Sequence, residues 1–187
     1  MNNLTSEFEL KCKRLIGHEI INVYYQYDVE DFKNFRKNKT SAMDFEYIPL
    51  AHMYLKMEDN TYFHFSDSNK FSEYYYTIDI DIITTNNYQI ENDMTSDHQW
   101  VGLVGNKITN TIVNWGTLKN ITLDQEVDIY YPKYVEVIFS NNRTLLIVSG
   151  EIEIENDRFK FIIPDESLIL FFTKKAYEEK HIVLPNS

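Results

Sequence analysis

Residues 131–150 read YPKYVEVIFSNNRTLLIVSG, in which two apolar runs are separated by a short polar break. A three-residue loop, 140–142, gives the same parity to the apolar residues of both runs: Val135, Val137, Phe139, Leu145 and Ile147. Because side chains alternate between the two faces of a strand, this loop length places them all on one face. The stretch therefore predicts a β-hairpin in which Asn142 closes the loop in the left-handed conformation, which Asn tolerates better than most residues.

An earlier stretch has the same organisation. Residues 48–66 read IPLAHMYLKMEDNTYFHFS, and a three-residue loop at 58–60 places Leu55 opposite Phe63. This register puts the apolar residues of both strands on one face and assigns Asn60 the role that Asn142 has in the later stretch. Residues 48–66 therefore predict a second hairpin of the same kind.

The two hairpins belong to a longer similarity. A shift of 82 positions superposes their inward residues, and a shift of 88 aligns IGHEIIN at 16–22 with VGNKITN at 104–110. Downstream, the acidic–apolar alternation of 77–82 resembles that of 151–155. These matches predict one compact domain, 1–187, built from two tandem β-units at 1–88 and 98–187.

Composition favours strands in the rest of the chain. Of 187 residues, 43% are hydrophobic, with 14 Tyr, 12 Phe and only 5 Gly. Aromatic and β-branched side chains pack well on a pleated surface. An apolar stripe with helical spacing predicts an N-terminal helix: Leu4, Phe8, Cys12 and Leu15. We therefore expect a mainly β (β-rich α+β) fold, a sandwich, roll or barrel of about ten antiparallel strands with an N-terminal helix.

Further expectations concern the region between the hairpins and the region near residue 180. Residues 99–104 and 107–115 are both interpreted as strands around Gly105-Asn106, and 116–126 as a loop leading into the later hairpin. A short helix is predicted at 174–180, and 181–184 are expected to add an edge strand.

Charge limits the classes of partner. The formal net charge is −11 and the isoelectric point is about 4.9, so nucleic acid and anionic membranes are disfavoured, whereas a basic protein is compatible. Cys12 is the single cysteine, which excludes an internal disulfide and a cysteine-based zinc site. The first residues lack the pattern of a signal peptide, so a cytoplasmic protein is expected.

Carboxylates and tyrosines provide the main binding candidates. Asp79 and Asp81 alternate along one strand face, as Glu151 and Glu153 do along another, and neighbouring strands would join them into an acidic patch. Consecutive tyrosines at 74–76 must face both sides of a strand, which puts Tyr74 and Tyr76 near the surface. The same residues are also compatible with a solvated sheet face and with ordinary packing.

His64 is the remaining candidate. The predicted register places it opposite Tyr54 and places His52 opposite Ser66, on the less apolar face. Two histidines need a third ligand to hold a metal, and no such ligand follows from the alternation, so no metal and no cofactor are expected. The sequence contains no nucleophile elbow and no phosphate-binding glycine loop, and it assigns no catalytic residue.

Three functions remain open. The first is a non-enzymatic protein-binding module, of the inhibitor or immunity type, that binds a basic partner through an acidic, tyrosine-rich surface. The second is a small-ligand module with a pocket lined by tyrosines and Trp115. The third is an enzyme whose site is assembled from His64 and dispersed carboxylates.

Overall fold

A computed structural model of the chain describes residues 3–26, 49–73, 75–84, 92–122, 125–155, 158–162, 167–178 and 182–183. These residues form two helices, α1 (Asn3–Lys13) and α2 (Lys174–Glu178), and thirteen strands. The strands are β1 (Ile20–Gln26), β2 (Pro49–Leu50), β3 (His52–Met57), β4 (Tyr62–Ser68), β5 (Thr77–Ile83), β6 (Asn92–Asp93), β7 (Ile108–Thr122), β8 (Gln125–Phe139), β9 (Thr144–Ser149), β10 (Glu151–Glu155), β11 (Arg158–Ile162), β12 (Leu168–Phe171) and β13 (Ile182–Val183).

Most strands belong to two sheets. The first has the order β5-β4-β3-β1-β6 and the second the order β2-β12-β9-β8-β7, while a small third sheet has the order β10-β11-β13. Neighbouring strands are antiparallel, except that β11 and β13 are parallel. The expected mainly β fold with an N-terminal helix is confirmed, and among the expected architectures the sandwich fits.

The inner faces of the two large sheets share one hydrophobic core. The alternation that predicted the hairpins puts Leu55 and Phe63 of the first sheet in the same buried cluster as Val137 and Leu145 of the second. Helix α1 adds the buried residues Phe8 and Cys12 to this cluster, and the turn that follows the helix adds Leu15. Burying one such side chain contributes roughly 1.5–3 kcal/mol, so the shared core is what holds the sheets together.

Both predicted hairpin registers are confirmed. Leu55 pairs with Phe63 and Val137 pairs with Leu145. Asn60 and Asn142 both have positive φ, and each amide donates a 3.0 Å or 2.9 Å hydrogen bond to the carbonyl three residues earlier. Each loop thus has the same geometry, as the parity of the apolar residues required.

The strands before these hairpins also correspond in detail. Ile20 and Ile108 occupy equivalent positions, and each is followed by a β-bulge before the next paired residue. The Gly17 amide donates to the Ile108 carbonyl at 2.8 Å, and the Gly105 amide donates to the Ile20 carbonyl at 2.9 Å. These reciprocal bonds flank an antiparallel bridge between residues 19 and 107, which are themselves equivalent under the 88-residue shift.

Three sequence predictions about the elements were wrong. Residues 99–104 form helical turns, because the Val101 amide bonds to the Asp97 carbonyl and the Val104 amide to that of Trp100. Residues 116–122 and 125–126, predicted as a loop, extend β7 and β8 into a long pair. The match of 77–82 to 151–155 also fails. Residues 77–82 belong to β5, which pairs with the second strand of the first hairpin, β4, whereas the strand that pairs with the second strand of the later hairpin, β9, is β12. Residues 151–155 form β10, which pairs with β11.

Candidate binding face

One row of residues crosses the whole first sheet on its outer face. The pairing register connects Asp93 to Tyr24, Tyr24 to Tyr54, Tyr54 to His64, and His64 to Asp81. We call these five residues the central row. Two tyrosines and a histidine lie in its middle, and a carboxylate lies at each end.

The aromatic rings of the central row are held by direct contacts. The rings of Tyr54 and His64 are stacked, with centroids 4.5 Å apart and an interplanar angle of 10°. His52, from the adjacent row, lies with its Nδ1 3.0 Å from Nε2 of His64. One of these two nitrogens donates and the other accepts, so the bond requires at least one neutral ring. Tyr54 is only 5% exposed, which makes it the floor of the row.

The histidines of this face are poor bases. Burial, together with the neighbouring His52, lowers the pKa of His64 to about 4, while Asp81 opposes the shift. Burial also lowers the pKa of His52, against the opposing charge of Asp67. Both rings are therefore neutral near pH 7, and the charge of the face comes from its carboxylates.

The two aspartates of β5 differ in access. The Asp81 side chain is 58% exposed and lies 3.0 Å from the Lys11 ammonium, whereas the Asp79 side chain is 13% exposed and lies 3.4 Å from Lys70. Asp79 also accepts a hydrogen bond from the Ile80 amide at 2.9 Å. Asp81 is therefore the carboxylate that a partner can reach, and it shares Lys11 with Glu7, 3.7 Å from the ammonium.

The opposite end of the row is fixed by a turn. Asp93 accepts a hydrogen bond from the Thr95 amide at 2.9 Å, and the Thr95 hydroxyl in turn accepts from the Val23 amide at 3.0 Å. Burial raises the pKa of Tyr24, and the charge of Asp93 raises it further, so the phenol stays protonated beside the carboxylate. Asp93 is exposed, which leaves its charge open to solvent.

The predicted site residues are only partly brought together. His64 and Asp81 belong to the central row, and Asp79 lies opposite Ser66 in the adjacent row. Tyr76 is 41% exposed but precedes β5 and lies outside the row. Tyr74 lies outside the described residues.

Glu151 and Glu153 do not join the aspartates through neighbouring strands. They belong to β10, which pairs with β11 in the third sheet, whereas Asp79 and Asp81 belong to β5 in the first. The single acidic patch that neighbouring strands would have produced is therefore not formed by the strand pairing. Glu153 instead lies opposite Lys160 in the register.

Three members of the central row were missed as site residues. The hairpin register already placed Tyr54 opposite His64, but Tyr24 and Asp93 come from β1 and β6. Their positions depend on pairing between segments that are far apart in sequence, and no local pattern encodes it.

The chemistry available in the described part of the chain is limited. Its histidine, cysteine and acidic side chains include no group of three arranged to hold a metal ion. Burial raises the pKa of the Cys12 thiol to about 12, and this residue is 1% exposed, so the thiol is inert as a nucleophile. No helix within the described ranges combines the length and apolar character needed to span a membrane.

Comparison with protein-family models, with curated proteins and with solved structures finds no significant match.

Proposed function

We propose that this protein is a non-catalytic binding module that captures a basic protein partner through the central row. A role of the inhibitor or immunity type, acting in the cytoplasm, fits this proposal. Nucleic acid and membrane surfaces are not the proposed partners, because a net charge of −11 repels both.

The single observation that carries the proposal is the order of residue types along the central row. Aromatic rings at the centre with charged groups at the rim are the arrangement that protein interfaces favour. A lysine or arginine side chain of a partner can lay its apolar stem against Tyr24 or His64. Its charged head then reaches Asp93 or Asp81, at opposite ends of the sheet.

The ion pair between Asp81 and Lys11, at one end of the row, is weak enough for Asp81 to bind a basic group of a partner instead. Asp81 is more than half exposed although it contacts Lys11, so this pair is worth at most about 1 kcal/mol. An arginine from a partner can bind the same carboxylate with two parallel hydrogen bonds, which a lysine cannot do. Capture of a basic partner therefore requires little reorganisation at Asp81.

We also propose that the chain consists of two tandem similar units, at 1–88 and 98–187. The equivalent bulges after Ile20 and Ile108 and the equivalent loops at Asn60 and Asn142 support this. The counterpart of β5 is then β12, which carries Leu168 and Leu170 where β5 carries Ile78 and Ile80. The second unit thus has no copy of the aspartates of β5, so binding is assigned to the first unit alone.

The test uses isosteric removal of charge at both ends of the row. Asp81→Asn with Asp93→Asn keeps the shape of both side chains and lets residue 93 continue to accept from Thr95. Wild type and variant are used as bait in a native lysate, captured proteins are identified by mass spectrometry, and the affinity of the captured partner is measured. We expect a basic partner and at least a tenfold loss of affinity in the variant, about 1.4 kcal/mol.

The matched control is Asp128→Asn with Glu178→Gln, which removes the same charge from exposed positions away from the row. This control should bind the partner within about twofold of wild type. Equal binding by both double variants, or capture of an acidic partner, would show that the central row is not the binding surface.

A further inference from the structure

Strand β7 has an unusual edge. It spans 15 residues and ends the second sheet. Gly17 and His18 bond to the backbone of its first residue, Ile108, and no strand within the described ranges pairs with the rest of its outer side. No charged residue occurs between Ile108 and Leu118, although 25% of the whole chain is charged. Ile112 is 43% exposed on this strand. Exposed edge strands ordinarily carry charges or proline that prevent pairing, and both are missing from residues 108–118.

We infer that two copies of this chain associate through β7, by antiparallel pairing about a two-fold axis at Ile112. The surface involved belongs to the second sheet, whereas the central row belongs to the first. The inference therefore does not depend on the proposed function.

The other half of the molecule shows how the equivalent edge is used. Strand β1 corresponds to β7, and its outer edge is occupied by β6. The Met94 amide donates to the Val23 carbonyl at 2.8 Å, and Asn92 donates to the Tyr25 carbonyl at 3.3 Å. The backbone groups of residues 23 and 25 thus point outward. By the 88-residue shift, Thr111 and Val113 of β7 present the corresponding groups.

A pair of equivalent asparagines marks the difference between the filled and the open edge. On β1, Asn22 donates to the Thr95 hydroxyl, which also accepts from the Val23 amide. On β7, the Thr111 amide instead donates to the side-chain oxygen of Asn110 at 2.9 Å. Asn110 thus satisfies an amide whose counterpart in the first half is satisfied by the side chain of Thr95, just after β6. A pairing strand would release this side chain at the cost of one exchanged hydrogen bond.

The sequence of β7 is self-complementary about Ile112. Residues 110–114 read NTIVN, which is the same in both directions when Thr and Val, of nearly equal shape, are exchanged. Antiparallel pairing about Ile112 places Asn110 opposite Asn114 of the second copy on both sides of the axis. Two amide pairs would then flank one apolar pair.

The direction of the backbone groups agrees with this register. Thr111 would pair with Val113 of the second copy, and both present outward amides and carbonyls, which makes a hydrogen-bonded pair. The two Ile112 residues then form the non-hydrogen-bonded pair at the axis, where Cα atoms are about 4.5 Å apart and side chains are closest. The exposed apolar residue thereby becomes buried against its own copy.

The lack of charge on the edge of β7 makes it a place where two acidic copies of this chain can meet. Each copy has a net charge of −11, so surfaces of the molecule generally repel one another. The uncharged edge of β7 is a strip where two copies can approach without placing like charges in contact.

Cysteine cross-linking tests both the contact and its register. Cys12 is buried, so Ile112→Cys introduces a thiol of known position. A Cα separation of about 4.5 Å lies within the disulfide range of roughly 4.4–6.8 Å. We expect this variant to form a disulfide-linked dimer under mild oxidation. Asn114→Cys should not, because residues two positions from the axis are about 13 Å from their own copies.

Sedimentation provides the second readout. Wild type should sediment as a dimer. Ile112→Lys should raise the dimer dissociation constant at least tenfold and shift the protein toward monomer, because two ammonium groups would meet at the axis. Val101→Lys is the matched control, since Val101 is another exposed apolar residue outside β7, and it should remain dimeric. A monomeric wild type, or equal cross-linking of the Ile112→Cys and Asn114→Cys variants, would overturn the inference; circular dichroism verifies that each variant is folded.

Discussion

Asn60 and Asn142 have nearly the same left-handed conformation, with φ of 66° and 62°, although 82 positions separate them in the chain. Each closes a three-residue hairpin loop, and the amide of the preceding strand's last residue, Met57 or Phe139, donates to the carbonyl across the loop. Both large sheets thus use, at the same point, a conformation that L residues disfavour. The three-residue loop that it closes keeps the apolar residues of both strands on one face.

The effect of a substitution at Asn60 or Asn142 on stability should depend on how easily the new residue adopts positive φ. Asn60→Val and Asn142→Val should each lower the free energy of unfolding by about 1–2 kcal/mol, since a β-branched residue is strained at positive φ. Asn60→Gly and Asn142→Gly should stay within about 0.5 kcal/mol of wild type. Urea unfolding measures both, and Asn69→Val, at an exposed turn residue without positive φ, serves as control. An equal cost at Asn69 would contradict the conformational explanation.

A second prediction concerns the buried hydroxyl of Thr111. This residue is 8% exposed and its Oγ1 has no hydrogen-bond partner among the described residues, while the equivalent residue in the first half is Val23. Thr111→Val should therefore raise the free energy of unfolding by about 1 kcal/mol, because it removes an unpaired buried polar group at nearly constant shape.

Thr77 is the matched control for that substitution. It is also buried, but its hydroxyl donates to the Ser68 carbonyl at 3.3 Å. Thr77→Val should lower the free energy of unfolding by about 1 kcal/mol, since it removes that hydrogen bond from a buried position. Thermal or urea unfolding of the two variants should give changes of opposite sign, and a loss of stability in both would contradict the assignment of Thr111.

The hairpins could be predicted from sequence because strand parity is a local constraint. A loop with an odd number of residues puts the apolar residues of each pair of runs on one face, and an asparagine stands where a three-residue loop needs it. The turn around Trp100 was mistaken for a strand because short apolar runs fit either period, and the three- and four-residue spacing of Trp100, Leu103 and Val104 is in fact helical. Gly116 suggested a loop, yet it lies within β7 where the Tyr131 ring leaves no room for a side chain.

The candidate site could be predicted only in part, because it depends on contacts between residues that are far apart in sequence. His64 and Asp81 were identified individually, but the central row is created by pairing between β1, β3, β4, β5 and β6, which no local pattern encodes. The lysines that contact the aspartates are equally distant in sequence: Lys11 lies 70 positions from Asp81. Charge counting therefore overstated the acidity of this face.

The pH dependence of stability should reflect His64. Its pKa in the folded protein is about 4, below the ordinary value of 6.5, so the unfolded chain binds the proton more readily in this interval. Stability from this residue is therefore complete above pH 6.5 and is lost as the pH falls toward 4. Allowing for solvent screening, the loss is about 2 kcal/mol.

His64→Gln should remove that part of the acid destabilisation, and urea unfolding between neutral and acidic pH measures it. His98→Gln is the matched control, because the side chain of His98 is 87% exposed and the substitution removes a histidine without changing a buried one. If the two variants show the same pH dependence as wild type, burial of His64 does not determine the acid response.

The last prediction compares two indole hydrogen bonds. The buried Trp100 donates its N–H to the Tyr25 hydroxyl, and the partly buried Trp115 donates to a Glu9 carboxylate oxygen at 2.9 Å. Tyr25→Phe leaves the Trp100 donor unpaired in the core and should lower the free energy of unfolding by about 1–3 kcal/mol. Glu9→Gln keeps an acceptor for Trp115 at a position that water can reach, so its cost should stay below about 1 kcal/mol. Urea unfolding measures both, and a smaller cost for Tyr25→Phe than for Glu9→Gln would show that the core bond around Trp100 adds little to stability.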